Sequence, residues 1–183
     1  MFGVQTQSMK IDIEKIAKQH KYCFICAGEL VYEGKNVLTC KKCGYHKYIN
    51  PAPCNGAYLK NDKGELLLVE RRVDPGKGLW DVPGGFVDLE ENAEESMTRE
   101  IKEETGLNVK ELKYVSSHDD TYFFEGIEFP IIVLMFEGQI GDQEVFPSDD
   151  VSGYKFFNLD EIPVDKIAFE GLKQSLSKYL KNP

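Results

Sequence analysis

The chain has 183 residues, 42% hydrophobic and 29% charged, which fits a folded globular protein of one domain plus a small appendage and excludes wholesale disorder. Its 31 acidic and 22 basic side chains leave a net charge of −9, against the basic surface by which proteins usually grip nucleic acid. Phosphorylated substrates are not excluded, because carboxylates hold cations that in turn hold phosphates.

Residues 1–10 lack a basic segment followed by an apolar run and a cleavage site. The longest apolar run, residues 131–136, is far shorter than the ~20 residues that span a bilayer. With cysteines in short C-x-x-C pairs, these features point to a cytoplasmic protein with no membrane segment. Charge divides unevenly. Residues 1–50 carry eight lysines and four acids, so the remainder holds −13. The boundary falls at Asn50-Pro51-Ala52-Pro53, where two prolines disfavour continuing a helix or a ladder. It separates an N-terminal module, residues 1–50, from a main domain, residues 51–183.

The N-terminal module opens with a short helix over residues 11–17. Cys23-x-x-Cys26 follows and, thirteen residues later, Cys40-x-x-Cys43. Four thiolates at this spacing resemble a zinc ribbon and close a tetrahedral Zn²⁺ shell with no open position, so the metal is expected to be structural. Gly28 and Gly44 follow the two knuckles and permit their turns. The bland alternative is a pair of disulfides. His20 and His46 are expected to be surface or packing residues, and Cys54 a small buried thiol on a strand. The lysines are scattered, with no dense basic run interleaved with aromatics. A scaffold or dimer-contact role is therefore favoured over nucleic-acid binding.

Beyond the boundary, residues 57–59 and 66–69 read as paired strands joined by the turn Asn61-Asp62-Lys63-Gly64. A helix is predicted over residues 93–105, stopped by Gly106. Strands follow at 112–117, 131–136 and 154–157. A last amphipathic helix spans 164–180, with Ile167, Leu172, Leu176 and Leu180 near one face. Strands interleaved with helices give a mixed sheet covered by helices, an α/β fold.

The most informative stretch is acidic: residues 88–104 hold eight acids and two bases. On the predicted helix Glu100, Glu103 and Glu104 share one arc, where like charges cost a few tenths of a kcal/mol per pair. A divalent cation such as Mg²⁺ reverses that penalty; a merely solvated acidic face is the alternative. Ala93, Met97 and Ile101 form the adjoining buried stripe. Arg99 is placed to pair with a carboxylate, and Gly84 and Gly85 allow a tight turn and close approach of backbone to ligand.

Gly85, then Glu91, Arg99-Glu100-Ile101, Glu103-Glu104 and Gly106-Leu107, at these intervals, reproduce the Nudix box, and Leu79-Trp80-Asp81-Val82-Pro83-Gly84 resembles its usual lead-in. The resemblance implies a Nudix α/β/α sandwich with a mixed sheet, acting as a pyrophosphohydrolase. Carried over by position, Glu100, Glu103 and Glu104 ligate Mg²⁺ or Mn²⁺, with the Gly85 carbonyl as a further ligand. Glu91 supports the site, Arg99 orients a carboxylate, and Glu103 is the foremost candidate to deprotonate the attacking water. A zinc ribbon before a Nudix domain is similar to the NADH pyrophosphatases and ADP-ribose-type hydrolases, which implies cleavage of ADP-ribose- or NAD(H)-like compounds. A homodimer would suit the family. The NADH-directed signature after the box is missing; Ser116-Ser117-His118-Asp119-Asp120-Thr121-Tyr122-Phe123-Phe124 stands in its place.

Two other readings stay open: a noncanonical or oxidised nucleoside triphosphate as substrate, or a ligand-sensing regulator. Arg71 and Arg72 are candidate phosphate contacts, with a surface ion pair as the alternative. Tyr122 is a candidate base-stacking residue, although strand alternation would bury one or two of Tyr122, Phe123 and Phe124. Asp149 and Asp150 read as a polar turn or an additional acid.

Overall fold

In the computed structural model, which describes residues 12–181, the first helix is α1, Ile13–Gln19. The Asp12 side chain caps it by accepting a hydrogen bond from Lys15 N. Ile11 lies outside the described residues, and the helix continues two residues past its expected end. A small antiparallel sheet follows, with β1 (Leu30–Tyr32), β2 (Val37–Cys40) and β3 (His46–Tyr48) in that order. Its core is modest: Ile16, Ala17, Leu30, Leu38 and Ile49 close against the cysteines. Gln19 anchors this unit to the rest, its amide oxygen accepting from Glu128 N and its amide nitrogen donating to Glu128 O.

The main sheet contains β4 (Ala52–Lys60), β5 (Leu66–Arg71), β6 (Trp80–Asp81), β7 (Lys113–Phe124), β8 (Ile127–Gln139) and β9 (Val151–Phe157). The order is β6-β5-β4-β8-β7, and β9 pairs with β5. Helix α2, Ala93–Thr105, covers one face and α3, Glu170–Tyr179, the other. Leu66, Leu67 and Leu68 show why. Three consecutive leucines with 0% exposure fit only a strand covered on both sides. Leu66 and Leu68 pack with Leu172 and Leu176 of α3, while Leu67 packs with Met97 and Ile101 of α2. Each such side chain contributes roughly 1.5–3 kcal/mol on burial.

Four expectations need correction. The prolines at 51 and 53 do not stop the ladder, because β4 starts at Ala52 and takes in Pro53, near the strand start where proline is tolerated. Strands β4 and β5 pair only at Lys60 and Leu66; the main partner of β4 is parallel β8, in register from Ala52–Ile131 to Lys60–Gln139. Strands β7 and β8 run much longer than their apolar stretches and form a hairpin across Glu125 and Gly126. The last helix is broken. A 3₁₀ turn at Val164–Lys166 precedes α3, because Ile167 is drawn into a bridge with Trp80 and Ala168 N donates to Trp80 O. No helix among the described residues is long and apolar enough to cross a membrane.

Candidate active site

The splay between β4 and β5 admits the lead-in to α2. Ala57 N donates to Pro83 O, Asn55 N to Gly85 O and Val87 N to Pro53 O, so the segment runs antiparallel along β4. A Cβ on Gly84 would lie 2.2 Å from Asn55 O, and one on Gly85 would lie 2.4 Å from Glu100 Oε1. Gly84 is therefore required by space, because backbone blocks any side chain there, whereas a side chain at Gly85 would displace the Glu100 carboxylate. The Gly85 carbonyl, expected to face a metal, already accepts from Asn55 N and keeps one lone pair.

Helix α2 starts with a capping box between Asn92 and Glu95 and ends at Gly106, whose φ of 72° is left-handed. Met97 and Ile101 are fully buried as the stripe requires. Arg99 lies at the centre of the acids. It holds Glu91 with two bonds, Nη2–Oε1 at 2.6 Å and Nε–Oε2 at 3.0 Å. Its Nη1 reaches Glu100 at 2.8 Å and Glu103 at 3.1 Å, and Nη2 also donates to Phe86 O. The Arg99 guanidinium, helped by Asp88 N–H, lowers the Glu91 carboxyl to about 2. Lysine has no planar fork with which to serve these partners. Arg99→Lys should lower turnover about 10–100-fold with the thermal midpoint little changed, the range typical for groups that orient ligands. Steady-state kinetics beside a melting curve tests this, and wild-type turnover would remove Arg99 from the positioning role.

Glu104 points the other way, into the protein. It is 8% exposed, and its Oε2 accepts from Gly84 N at 3.0 Å. Burial pushes its carboxyl up to about 8, and the charges of Asp81 and Glu100 add to the shift. Burial also raises Asp81 above the usual carboxylate range, although Arg71 pairs with it at 2.9 Å. Arg71 is fixed on three sides, by Asp81, by Pro75 O at 2.7 Å and by the Phe169 ring 4.9 Å away.

Glu104, Asp81 and Arg71 line a cleft of about 140 Å³, together with Gly85, Asp120 and Tyr122 among others. Its outer wall is aromatic: Tyr122 meets Phe86 edge-on at 5.4 Å and lies 6.2 Å from Phe169. A larger hollow of about 910 Å³, lined by Lys60, Lys113, Glu137 and Tyr179, contains none of the box acids. The smaller cleft is the one that contains a box acid, Glu104.

Several sequence candidates separate here. Arg71 and Tyr122 line the cleft, whereas Arg72 lies outside its lining and donates to Val151 O at 2.6 Å. Phe123 and Phe124 are exposed, so neither enters the core. Asp150 lines the cleft beside Asp149, whose φ is 50°. Cys54 is buried on β4 with its thiol pushed up to about 12 by burial. Asp81, Asp120, His118, Asn55 and Phe169 also line the cleft, though none is a candidate site residue by sequence. Asp81 stands in the lead-in motif and could have been found there; the others carry no local signal.

The box carboxylates fit a divalent cation in donor chemistry, since all are oxygen ligands and, among the described residues, buried Glu104 forms no ion pair and accepts only from Gly84 N. Glu100, Glu103 and Glu104 do not meet as one group. Among the described residues, the only three or more metal-ligating side chains with atoms all within 4.8 Å of one another are Cys23, Cys26, Cys40 and Cys43. There the Sγ atoms of Cys26 and Cys40 lie 3.5 Å apart and those of Cys23 and Cys43 3.8 Å apart. A tetrahedron of bonds of about 2.3 Å has edges of about 3.8 Å, whereas a disulfide spans about 2.05 Å, so the cluster is consistent with zinc. The Cys43 N–H lowers the Cys40 thiol to about 6. Gly44 takes a left-handed φ of 76°, as its place after a knuckle suggests, but in the first knuckle Ala27 makes the turn at 54°. Gly28 is small for another reason: a Cβ there would lie 2.7 Å from Lys42 Cβ.

Of the acids on α2, Glu104 lines the aromatic-walled cleft, where it meets Asp81, Asp120 and Arg71 from other elements of the α/β/α sandwich. The NUDIX domain family matches residues 51–179, and the chain belongs to it as a Nudix pyrophosphohydrolase. It is 32% identical over 160 residues to the ADP-ribose pyrophosphatase of Methanocaldococcus jannaschii, covering 82% of this chain and 90% of that protein. It is 29% identical over 161 residues to the NAD-capped RNA hydrolase NudC of Shigella dysenteriae, covering 84% of this chain but 59% of that relative's length. The crystal structure of a NUDIX hydrolase from Nitrosomonas europaea superposes with a TM-score of 0.67 at 26% identity, over 88% of this chain and 91% of that one.

Proposed function

We propose that the chain hydrolyses the pyrophosphate of a nucleoside diphosphate joined to a second moiety, of the ADP-ribose or NAD(H) class, by attack of water on phosphorus. One observation carries this reading: the carboxylate floor and the aromatic wall belong to the same cleft. The similarity to an ADP-ribose pyrophosphatase over most of both chains supports it.

Bound Mg²⁺ or Mn²⁺ supplies charge neutralisation at the phosphates and an acidified water. Glu100, Glu103, Glu104 and the Gly85 carbonyl are the groups that would hold it. Glu103, on the exposed side of α2, has the freedom to accept the proton of the attacking water. Arg99 and Glu91 keep the neighbouring carboxylates oriented. Arg71, clamped against Asp81 and Phe169, presents a fixed positive charge to a phosphate, and Tyr122 presents a ring to the base. The module of residues 1–50 acts as scaffold, with its zinc structural.

The test is a product analysis of wild type and Glu103→Gln with Mg²⁺ and a panel of ADP-ribose, NADH, NAD⁺, nucleotide sugars and triphosphates. AMP and ribose 5-phosphate from ADP-ribose are expected, with Glu103→Gln slower by about 10²–10⁴-fold, the usual contribution of a general base. A preference for triphosphates releasing pyrophosphate would overturn the substrate class. Turnover that survives complete chelation would overturn the role of the cation.

A further inference from the structure

In sequence the lysines of the N-terminal module are scattered, but the cysteine cluster folds two of its segments onto each other. The first knuckle exposes Tyr22 at 72%, Phe24 at 74% and Ile25 at 59%. The second exposes Lys41 and Lys42, and Lys21 stands exposed beside Tyr22. Contacts join the two tips directly. Phe24 packs edge-on against Tyr45 at 4.9 Å, Lys41 N donates to Glu29 O, and Gly28 leaves just enough room for Lys42.

The result is a surface of two exposed aromatic rings, Tyr22 and Phe24, the latter braced by Tyr45, and three lysines. Glu29, bridged to Tyr22, is the acid beside them. Lys21, Lys41 and Lys42 form no ion pair among the described residues, although the chain as a whole is acidic. Large apolar groups left this open beside unpaired cations suit a partner that is both flat and anionic. Single-stranded nucleic acid meets both conditions: its bases stack on rings and its phosphates meet lysines. We propose that the paired cysteine knuckles form a binding surface for single-stranded nucleic acid, separate from the cleft. A double strand fits poorly, because its bases are already stacked on one another.

The experiment is an anisotropy titration of labelled single-stranded RNA and DNA, about 12 nucleotides long, against the full zinc-loaded chain in buffer without divalent cations. Wild type should bind, more weakly as salt rises. Tyr22→Ala/Phe24→Ala should weaken binding at least about tenfold with the salt slope kept, since each stacked base is worth roughly 1–3 kcal/mol. Lys41→Ala/Lys42→Ala should reduce the slope of log affinity against log salt by about 1.4, two phosphates at about 0.7 each. Unchanged zinc content in both variants shows that the knuckles remain folded. No binding by wild type at low salt, or equal affinity in all three proteins, would refute the surface. So would a sedimentation result in which the patch substitutions abolish self-association without affecting oligonucleotide binding, which would assign it to a second copy of the chain.

Discussion

Glu104→Gln should make the metal-free protein more stable at alkaline pH while abolishing metal-dependent hydrolysis. The two effects have one origin. Burial raises the carboxyl to about 8, so between the ordinary carboxylate value of 4.5 and about 8 the folded chain keeps a proton that the unfolded chain has released. The associated stability is complete below about 4.5 and is lost as pH rises through 8. Glutamine has no proton to lose, and its amide oxygen can still accept from Gly84 N–H. In chelator at pH 8.5 the variant should therefore be more stable by on the order of 2–4 kcal/mol, and at pH 5 close to wild type. Melting curves at the two pH values read this directly. With Mg²⁺ present, loss of a ligand carboxylate should lower turnover about 10²–10⁴-fold, equivalent to several kcal/mol of charge stabilisation. A stability difference of equal size at both pH values would refute the buried-charge account. Full activity at saturating Mg²⁺ would remove Glu104 from the ligand set.

The second large effect concerns the cysteines. Cys40→Ser should strip zinc from the chain and unfold the region of β1 to β3 while the main sheet remains intact. The small sheet buries only a handful of apolar side chains, and modules below about 40 residues rarely hold together without a metal or disulfide. The main domain has two separate apolar clusters, on either side of β4 and β5, and depends on neither. Limited proteolysis should cut the variant between β1 and β3 and leave a resistant core, and metal analysis should fall from about one zinc per chain to nearly none. An equally resistant N-terminal region in the variant would show that zinc is not what folds it.

What the sequence revealed depended on how local the determinants were. Helix α2 was legible to the residue, because its apolar stripe and Gly106 lie within the segment itself. So were the cysteine cluster and the box acids, whose spacing is their chemistry. The partner of β4 was not legible: its parallel pairing with β8 joins residues almost eighty positions apart, and the nearby turn at Asn61 to Gly64 suggested β5 instead. The full length of β7 was hidden because His118, Asp120 and Tyr122 face the cleft, which replaces apolar alternation with polar residues. The final helix was overextended because Ile167 keeps helical spacing with Leu172 and Leu176 but is claimed by Trp80. In the cleft, the helix-borne acids could be read, whereas Asn55, Asp120 and Phe169 arrive from distant elements and only folding brings them together.

Strand β7 ends the main sheet, so among the described residues one of its edges has no neighbouring strand. Open edges of this length invite strand addition by other chains and are usually protected. Here the protection is uneven. A register shift between Tyr114 and Ser116 distorts the start, and exposed Asp119 places a charge at mid-strand. At the far end Phe123 and Phe124 stand half exposed, with Glu128 opposite Phe123 and exposed Glu125 in the turn that follows. Protection of this edge therefore rests on the register shift at one end and on carboxylates along the strand and at its turn, so a strand added from another chain would meet negative charge over the second half of β7.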